Sequence, residues 1–421
     1  MLCRRKHVLI CTFGLVALCC PGLRSADAQD STAGSQQDES AWQLSDPAEL
    51  RRLSNATYVG VKVRTSIPQR FEMYDPHSEQ AMVDLKAMGF TQVILDQPQL
   101  HKAASNAGLD VVLANWWTQD TKTKQIETAI GRAREVANGA LVGFSVMDEP
   151  GRNSPDTPFD FYRDLYEELK PRFAKQFPRT RLEISHWGPM AGWNQRHYDE
   201  FAFLYEAADV MRIMPYPDLK EAPLDDVFFM IQRSRRIMKD VDRQLPLVVI
   251  LQTWLLPPDG TLPEIDELRV MAWQAMLPGT ETLSFFEYNL DIWNRTPDFH
   301  GQFEKLMIEL TSLARRHKSS RVETTMSEDG ILTSVLRAPD GGLTQITINT
   351  RRHAVGAMGP LQIRESTLHS GRRYPPWCVT AVDLRWPSKT PRTRCWPIRT
   401  TATCCPQQQA RCQPQPFRLC W

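Results

Sequence analysis

The feature that most constrains this chain is a regular alternation of two hydrophobic patterns between residues 58 and 317. Short runs rich in β-branched residues predict strands, and each is followed by a stretch with apolar spacing of three and four, which predicts an amphipathic helix. Strands separated by single helices pair in parallel through right-handed crossovers. Eight such units in about 260 residues fit a closed barrel better than an open sheet. We therefore predict an α/β fold, a (β/α)8 (TIM) barrel.

The limits of the repeated units follow from the two patterns. The predicted strands are Tyr58–Arg64, Thr91–Asp96, Asp110–Asn115, Leu141–Met147, Arg181–His186, Asp209–Met214, Leu247–Thr253 and Glu281–Tyr288. The predicted helices are Ser78–Met88, Leu100–Ala107, Thr123–Asn138, Phe159–Gln176, His197–Ala208, Leu224–Val241, Ile265–Leu277 and Phe303–Arg316. Residues 60–70 contain no GxGxxG turn, which disfavours a doubly wound dinucleotide-binding fold.

The N-terminus has the pattern of a signal peptide. A basic start precedes the apolar run Val8–Cys20, and Ala26-Asp27-Ala28 fits a small-x-small cleavage site. We expect residues 1–28 to be removed and the protein to be secreted or periplasmic. Lipid anchoring at Cys19 or Cys20 is the second interpretation, and no other stretch is apolar and long enough to span a membrane in the mature chain.

The rest of the chain divides by composition into a linker at 29–57, the barrel at 58–318, a β-rich segment at 319–370 and a tail at 371–421. In the β-rich segment, Ile331–Arg337 and Leu343–Thr350 alternate around Asp340-Gly341-Gly342, which predicts a hairpin. The tail is rich in arginine, proline and cysteine, with Asp383 its only acid. We interpret it as an irregular sequence that is out of frame or otherwise not selected; a small disulfide or metal module is the alternative.

Several classes of function are disfavoured by composition. The 50 basic and 49 acidic residues give a net charge of +1, so we expect no nucleic acid partner. Residues 21–377 contain no cysteine, which leaves the folded body without disulfides or thiol chemistry. The first strand has no His-x-His, and the chain has no GxSxG elbow. We expect no metal and no other cofactor.

The carboxyl ends of the barrel strands carry the chemistry in this type of fold. Aromatic and amide side chains gather at the predicted ends, and indole rings stack well on the apolar faces of sugars. Packing at the barrel mouth is the alternative role for any one of these rings. The tryptophans at this rim are Trp116, Trp117, Trp187, Trp193, Trp254 and Trp293.

Carboxylates stand at several strand ends, and glycoside hydrolysis needs two of them. Glu149 follows a buried strand and precedes Pro150, which forces the chain out of regular pairing, so its side chain should project at the mouth. Partial burial there would raise its pKa into the range of a useful acid. A structural carboxylate bonded to loop amides is the alternative. Asp148 points to the other side of the strand and should orient a neighbour.

The octet Gly143-Phe144-Ser145-Val146-Met147-Asp148-Glu149-Pro150 resembles the strand-four signature of barrel glycoside hydrolases. In the large retaining clan this glutamate is the acid/base, so the resemblance implies that role for Glu149. Gln252-Thr253-Trp254 and Ser284-Phe285-Phe286-Glu287-Tyr288 look like uncharacterised bacterial members. The clan places its nucleophile at the end of strand seven, where this chain has Gln252-Thr253-Trp254 and no carboxylate.

Three hypotheses remain for the second carboxylate: Glu287 supplies it, Asp96 does, or the protein binds sugar without cleaving it. We favour a secreted hydrolase of O-glycosidic bonds with Glu149 and Glu287 as catalytic residues and an oligo- or polysaccharide as substrate. The alternative is a non-catalytic carbohydrate-binding protein on a degenerate barrel. The expected substrate-binding residues are Asp96, Asn115, Trp116, Asp148, His186, Trp187, Tyr216, Gln252, Trp254 and Tyr288.

Overall fold

A computed structural model gives the architecture. It describes residues 47–121, 123–136, 140–150, 153–189, 195–217, 223–255, 262–350, 361–367 and 380–382. The expected signal peptide, Trp193 and nearly all of the tail lie outside these residues. The described part opens with helix α1 (Pro47–Ala56) and a short strand β1 (Val63–Thr65). Helix α1 lies within the stretch that we expected to be a linker.

Eight parallel strands then form a closed barrel, as the sequence predicts. They pair in chain order and the last pairs with the first. The strands are β2 (Arg70–Tyr74), β3 (Gln92–Leu95), β4 (Asp110–Leu113), β5 (Leu141–Asp148), β6 (Arg181–His186), β7 (Val210–Ile213), β8 (Leu247–Gln252) and β9 (Thr282–Phe286).

Helices connect these strands. They are α2 (Glu79–Ala87), α3 (His101–Asn106) with a preceding 3-10 turn (Pro98–Leu100), α4 (Thr123–Val136), α5 (Phe159–Gln176), α6 (Gln195–Glu206), α7 (Asp226–Asp240), α8 (Ile265–Met276), α9 (Leu290–Trp293) and α10 (Phe299–Arg316). The Ser78 side chain caps α2 by accepting a hydrogen bond from the backbone N–H of Ala81. Among the described helices that connect barrel strands, the short helix α9 was not predicted from the hydrophobic periodicity of the sequence.

The first barrel strand is not where the sequence analysis placed it. Residues of the predicted strand Tyr58–Arg64 lead into β1, which pairs antiparallel with a strand beyond the barrel, and β2 takes the barrel position. The prediction failed because β2 reads Arg-Phe-Glu-Met-Tyr, and its glutamate interrupts the apolar pattern. Glu72 is nevertheless fully buried. A buried charge needs a partner inside the protein.

That partner is Arg212 of β7, which reaches across the barrel interior. Its guanidinium donates to both Glu72 oxygens, with Nη1 3.2 Å from Oε2, and to Oε2 of Glu183 on β6 at 2.7 Å. Glu72 also accepts from the amide of Gln92 at 2.6 Å and the hydroxyl of Ser284 at 2.7 Å. These five residues, which we call the interior ion cluster, link β2, β3, β6, β7 and β9. Their hydrogen bonds compensate for the removal of three charges from water.

Gly143 makes room for this cluster. A Cβ atom at this position would lie 2.3 Å from Oε1 of Glu183 and 2.9 Å from Cγ2 of Val112. Two irregularities in the pairing of β5, against β4 and against β6, lie on either side of the same stretch. The glycine of the sequence signature therefore has a packing role below the mouth of the barrel.

Apolar layers surround the barrel wall. Alternate strand residues such as Val93, Met211 and Val249 face the helices, whereas Ile94 and Ile250 belong to a separate cluster inside the barrel. This is the period-two alternation expected of strands with two buried faces. None of the helices in the described ranges is long and apolar enough to cross a membrane.

A six-stranded antiparallel sheet follows the barrel and begins with β1. Its other strands are β10 (Arg321–Met326), β11 (Ile331–Arg337), β12 (Gly342–Asn349), β13 (Leu361–Thr367) and β14 (Thr380–Val382). The predicted hairpin is confirmed as the antiparallel pair β11–β12. Strand β14 lies inside the tail, for which we predicted no regular element.

Replacing Arg212 by methionine tests the interior ion cluster. The change leaves Glu72 and Glu183 buried without their cation, so the free energy of unfolding should fall by about 3–5 kcal/mol. Chemical denaturation followed by circular dichroism measures it. Arg236→Met is the control, because Arg236 pairs with Asp240 at an exposed i,i+4 position, so its loss should lower stability much less than the loss of Arg212. Equal losses in the two variants would contradict a stabilising role for the cluster.

Candidate functional site

The candidate site is the mouth formed by the carboxyl ends of the barrel strands. Acidic side chains follow four of the strands that end there. Asp75 follows β2, Asp96 follows β3 and Glu287 follows β9, which are neighbouring strands of the closed barrel. Asp148 and Glu149 end β5 on another part of the wall. The barrel thus holds two groups of carboxylates at one end.

Glu149 has an unusual backbone conformation. Its φ is +51°, in the left-handed region, which costs a residue with a side chain about 1 kcal/mol or more. Its N–H donates to the carbonyl of Ser185 on β6 at 2.9 Å, and its own carbonyl accepts from Asn153 N–H at 3.0 Å. The amide of Asn153 also donates to the Asp148 carbonyl at 3.0 Å. These bonds hold the turn after β5 in place despite its strain.

Asp148 is turned toward the barrel interior, beside Tyr74 and Ser185. Its Oδ1 atom is buried and lacks a hydrogen bond of good geometry. Burial, and then repulsion from Glu149, raise the pKa of Asp148 to about 6, although Arg212 and bonds to Ser185 and Tyr74 act in the opposite direction. Asp148 therefore keeps its proton up to about pH 6.

The surroundings of Glu287 lower its pKa, whereas those of Asp148 raise the pKa of that residue. Burial alone would raise the pKa of Glu287, but the contact with the His77 ring and a hydrogen bond from Asn289 outweigh burial and lower it. The Asn289 amide donates to Oε1 at 3.2 Å, and Nε2 of His77 lies 3.9 Å from Oε2. The same contact with Glu287 raises the pKa of His77. Glu287 is therefore held ionised.

Asp75 and Asp96 form a second close carboxylate pair. Asp75 has a φ of +44°, and its N–H donates to the Ile94 carbonyl at 2.9 Å. Burial, then the charge of Asp96, raise the pKa of Asp75 to about 7. Asp75 therefore keeps its proton up to about neutral pH beside the charge of Asp96.

One group of described residues has the donors to hold a metal ion. Asp75, His77 and Glu287 each offer one ligand atom, all within 4.8 Å of one another. His77 is a histidine at the mouth that we did not name among the expected site residues. Nδ1 of His77 lies 3.1 Å from the Gln97 amide, so hydrogen bonds to protein groups already account for the ring's position.

Several of the expected substrate-binding residues lie at the mouth, some exposed and some buried. Trp116 is 45% exposed, and Asn115 beside it is buried with its amide donating to the Ser145 carbonyl at 3.0 Å. Trp254 and Tyr216 meet edge to face, with ring centroids 6.3 Å apart. Gln252, at the end of β8, is 1% exposed, and neither of its amide atoms has a hydrogen-bond partner among the residues that the structure describes.

Other expected residues are enclosed. His186 is buried edge to face against Phe201, with ring centroids 3.9 Å apart. Its Nε2 accepts a hydrogen bond from Nε1 of the partly exposed Trp187 at 2.9 Å. Burial lowers the pKa of His186 well below its usual range. Tyr288 is 1% exposed and packs against Trp293 in the core between barrel and helices.

Two of the six rim tryptophans are also core residues. Trp117 packs against Phe144, and Trp293 donates to the Thr253 carbonyl. For these two the packing alternative is the correct one.

The misplaced first strand explains what the sequence analysis missed. Lys62 and Arg64, which the predicted first strand would have brought to the mouth, both pair with Glu323 on β10. Asp75 and His77 hold that place at the mouth. The signal for them was the Asp-x-His that follows β2, which becomes visible only when Glu72 is recognised as a buried residue of a strand.

No protein-family model matches the sequence, and no curated protein matches it. Solved structures similar to the chain include a family 39 glycoside hydrolase from Bacteroides cellulosilyticus WH2, with 15% identity over 68% of this chain and 71% of that one, at a TM-score of 0.45. A glucosidase from Croceicoccus marinus has 12% identity over 67% of this chain and 75% of that one, at a TM-score of 0.44. The endo-β-1,4-mannanase from Thermotoga petrophila has 10% identity over 72% of this chain and 98% of that one, at a TM-score of 0.41.

Asp148→Asn should change how stability depends on pH. The folded-state pKa of Asp148 is about 6, above its ordinary 3.8, so wild-type stability from this group is present below pH 4 and is lost as pH rises through 6. At pH 8 the variant avoids a buried charge and should be more stable by up to about 3 kcal/mol. At pH 4 the difference should vanish.

Denaturant titrations at the two pH values measure this difference. The control is Asp164→Asn, because Asp164 is 74% exposed on α5 and should give a difference that is independent of pH. A stability difference in Asp148→Asn that is equal at pH 4 and pH 8 would be inconsistent with a raised pKa.

His77→Ala tests what holds Glu287 ionised. Without the histidine, burial of Glu287 is opposed mainly by Asn289, so the pKa of Glu287 should rise above its wild-type value. Carbon NMR titration, with the resonance assigned through Glu287→Gln, measures it. Asn289→Ala should produce a smaller rise in the same direction. An unchanged pKa in His77→Ala would show that the histidine is not responsible.

Proposed function

We propose that this protein is a carbohydrate-active hydrolase that cleaves O-glycosidic bonds, with Glu149 as general acid/base and Glu287 as the second carboxylate. The observation that carries the proposal is the opposite setting of Asp148, the neighbour of Glu149, and Glu287. Burial favours the protonated form of Asp148, whereas contacts with His77 and Asn289 hold Glu287 ionised. In the proposed reaction Glu149 starts protonated and Glu287 starts ionised. Titratable groups whose environments push their pKa values apart are the usual source of an acid and a base in one site.

The chemistry follows from those protonation states. Glu149 donates its proton to the glycosidic oxygen as the bond to the anomeric carbon breaks, and the alcohol leaves neutral. Ionised Glu287 either attacks the anomeric carbon or removes a proton from the attacking water. The proton released by water returns to Glu149 in the first case and remains on Glu287 in the second. Asp148, the preceding residue, positions Glu149 at the end of β5.

Glu287 suits the role of nucleophile or base better than Asp96 does. Asp96 lies against Asp75, whose pKa is raised to about 7 by burial and by the charge of Asp96. A nucleophile or base must be ionised and free to reach the substrate. The contacts of Glu287 with His77 and Asn289 leave its carboxylate ionised, as this role requires.

A carbohydrate-binding protein that does not cleave is the second candidate function. Gln252 favours it, because β8 is the seventh barrel strand, and its end carries this amide where the retaining glycoside hydrolases have their nucleophile. The buried amide has no partner among the described residues, so it suits hydrogen bonding to a bound hydroxyl. We also propose that the protein is exported, on the basis of the pattern in residues 1–28.

Glu149→Gln separates the two functions. The amide keeps the shape of the side chain but cannot donate the proton, so turnover of a susceptible glycoside should fall by about 10²–10⁴-fold. Binding of the same sugar should stay within about threefold of wild type. Release of reducing sugar and isothermal titration calorimetry provide the two measurements.

The matched control is Glu264→Gln, a glutamate just before α8 and outside the mouth residues described above. It should retain wild-type turnover. If Glu149→Gln turns over like wild type on a cleaved substrate, Glu149 has no part in the mechanism. If the wild type binds sugars but cleaves none, the binding function replaces the enzyme.

A further inference from the structure

A cavity of about 410 Å³ opens beside the mouth, between the ends of β3 and β4 and helix α4. Its size lies within the range of small-ligand pockets. Its wall combines aromatic, amide, hydroxyl and charged groups, which is the composition that a sugar needs. The residues that matter are Asp96, Asn115, Trp116, Thr128 and Arg132.

Asn115 gives this cavity a fixed hydrogen-bond acceptor. Its side chain is 8% exposed, and the amide nitrogen donates to the Ser145 carbonyl at 3.0 Å. That bond determines which way the amide faces, because nitrogen and oxygen cannot exchange places without losing it. The amide oxygen makes none of the hydrogen bonds seen among the described residues. It is available to accept from a ligand hydroxyl.

Trp116 provides an apolar surface next to that acceptor. It is 45% exposed, whereas the adjacent Trp117 is 5% exposed and packs against Phe144. Trp117 therefore packs in the core, and Trp116 presents its exposed face to the cavity. Keeping a large aromatic side chain this exposed beside a cavity favours a ligand with an apolar face.

Arg132 is the cation of the cavity. It lies on α4, is partly buried, and forms no ion pair within 4.0 Å in the part of the chain that the structure describes. Two other partly buried arginines of the barrel have carboxylate partners, Arg181 with Glu281 at 2.6 Å and Arg269 with Glu309 at 3.1 Å, whereas Arg235 donates to the backbone carbonyl of Gly279 at 2.9 Å. A guanidinium matches a carboxylate in shape and can bind it through two hydrogen bonds.

We propose that this cavity is a subsite for a sugar residue that carries a carboxylate, a uronic acid. Trp116 stacks on the ring, Asn115 and Asp96 accept from its hydroxyls, and Arg132 binds its carboxylate. The inference rests on the proposed function, since it names the class of substrate for the neighbouring carboxylates. It adds Arg132, which lies on a helix and not at a strand end, as the residue that determines specificity.

The test compares acidic and neutral oligosaccharides of matched size. The full chain carrying Glu149→Gln is titrated calorimetrically with tri-galacturonate and galactotriose, and with the trimer of β-1,4-linked glucuronate and cellotriose. At least one acidic trimer should bind about tenfold or more tightly than its neutral counterpart. Adding Arg132→Gln should remove that preference and leave neutral binding within about twofold. Trp116→Ala should weaken both members of the pair.

The matched control is Arg134→Gln on the same helix. Arg134 is exposed and donates to the Gln176 side chain, so its loss changes net charge equally without changing the cavity. It should keep the acidic preference. Absence of preference in either pair, or a preference that survives Arg132→Gln, would overturn the uronate subsite.

A separate assay distinguishes failure of the subsite from failure of the proposed function. Wild-type protein is assayed on a panel of neutral aryl glycosides. Cleavage that depends on Glu149, without any acidic preference in binding, would overturn the subsite and leave the hydrolase. Binding of a uronate that depends on Arg132, with no cleavage of any uronate or neutral glycoside, would overturn the hydrolase and leave the subsite.

Discussion

The rest of this structure depends on the buried ion pairs between Arg212 and the two glutamates Glu72 and Glu183. A guanidinium inside a barrel is stable only if carboxylates and hydrogen bonds replace its water. Here those groups come from strands on opposite sides of the wall, so the ion cluster fixes the strands relative to one another. The small residues Gly143 and Ser284 belong to the same arrangement, one leaving space and the other adding a bond.

The ion cluster also lies beneath the candidate site and acts on it electrostatically. Arg212 moderates the pKa of Asp148, which burial and Glu149 raise to about 6. On the other part of the wall, β2 carries Glu72 into the cluster and Asp75 to the mouth three residues later. The residues that stabilise the barrel therefore also position the two groups of carboxylates.

Much of the fold could be predicted from the sequence, because hydrophobic periodicity dominates seven of the eight strand-helix units. The first strand could not, since Glu72 breaks the pattern and only Arg212, 140 residues away, explains its burial. The same difficulty applies to the site. Glu149 and Glu287 could be found from strand ends, whereas His77 followed a strand that had been misplaced. Arg132 lies on a helix face, where a cation ordinarily indicates contact with solvent.

The aromatic residues show a second limit of sequence patterns. Trp116 and Trp117 are adjacent, yet one faces a cavity and the other packs against Phe144. His186 and Tyr288 also lie at strand ends, but their side chains are enclosed. A position at a strand end predicts proximity to the mouth, and the direction of the side chain depends on local packing that periodicity does not encode.

The central claim is that Glu149 supplies the proton to the leaving group, and leaving-group dependence tests it most directly. Two aryl glycosides of the same sugar are compared in wild type and Glu149→Gln, one with a dinitrophenolate leaving group that needs no proton and one with a methylphenolate that does. The account predicts that bond cleavage in the variant is greatly slowed for the methylphenyl glycoside and nearly unchanged for the dinitrophenyl glycoside. An equal loss for both would contradict the assignment of Glu149 as the acid.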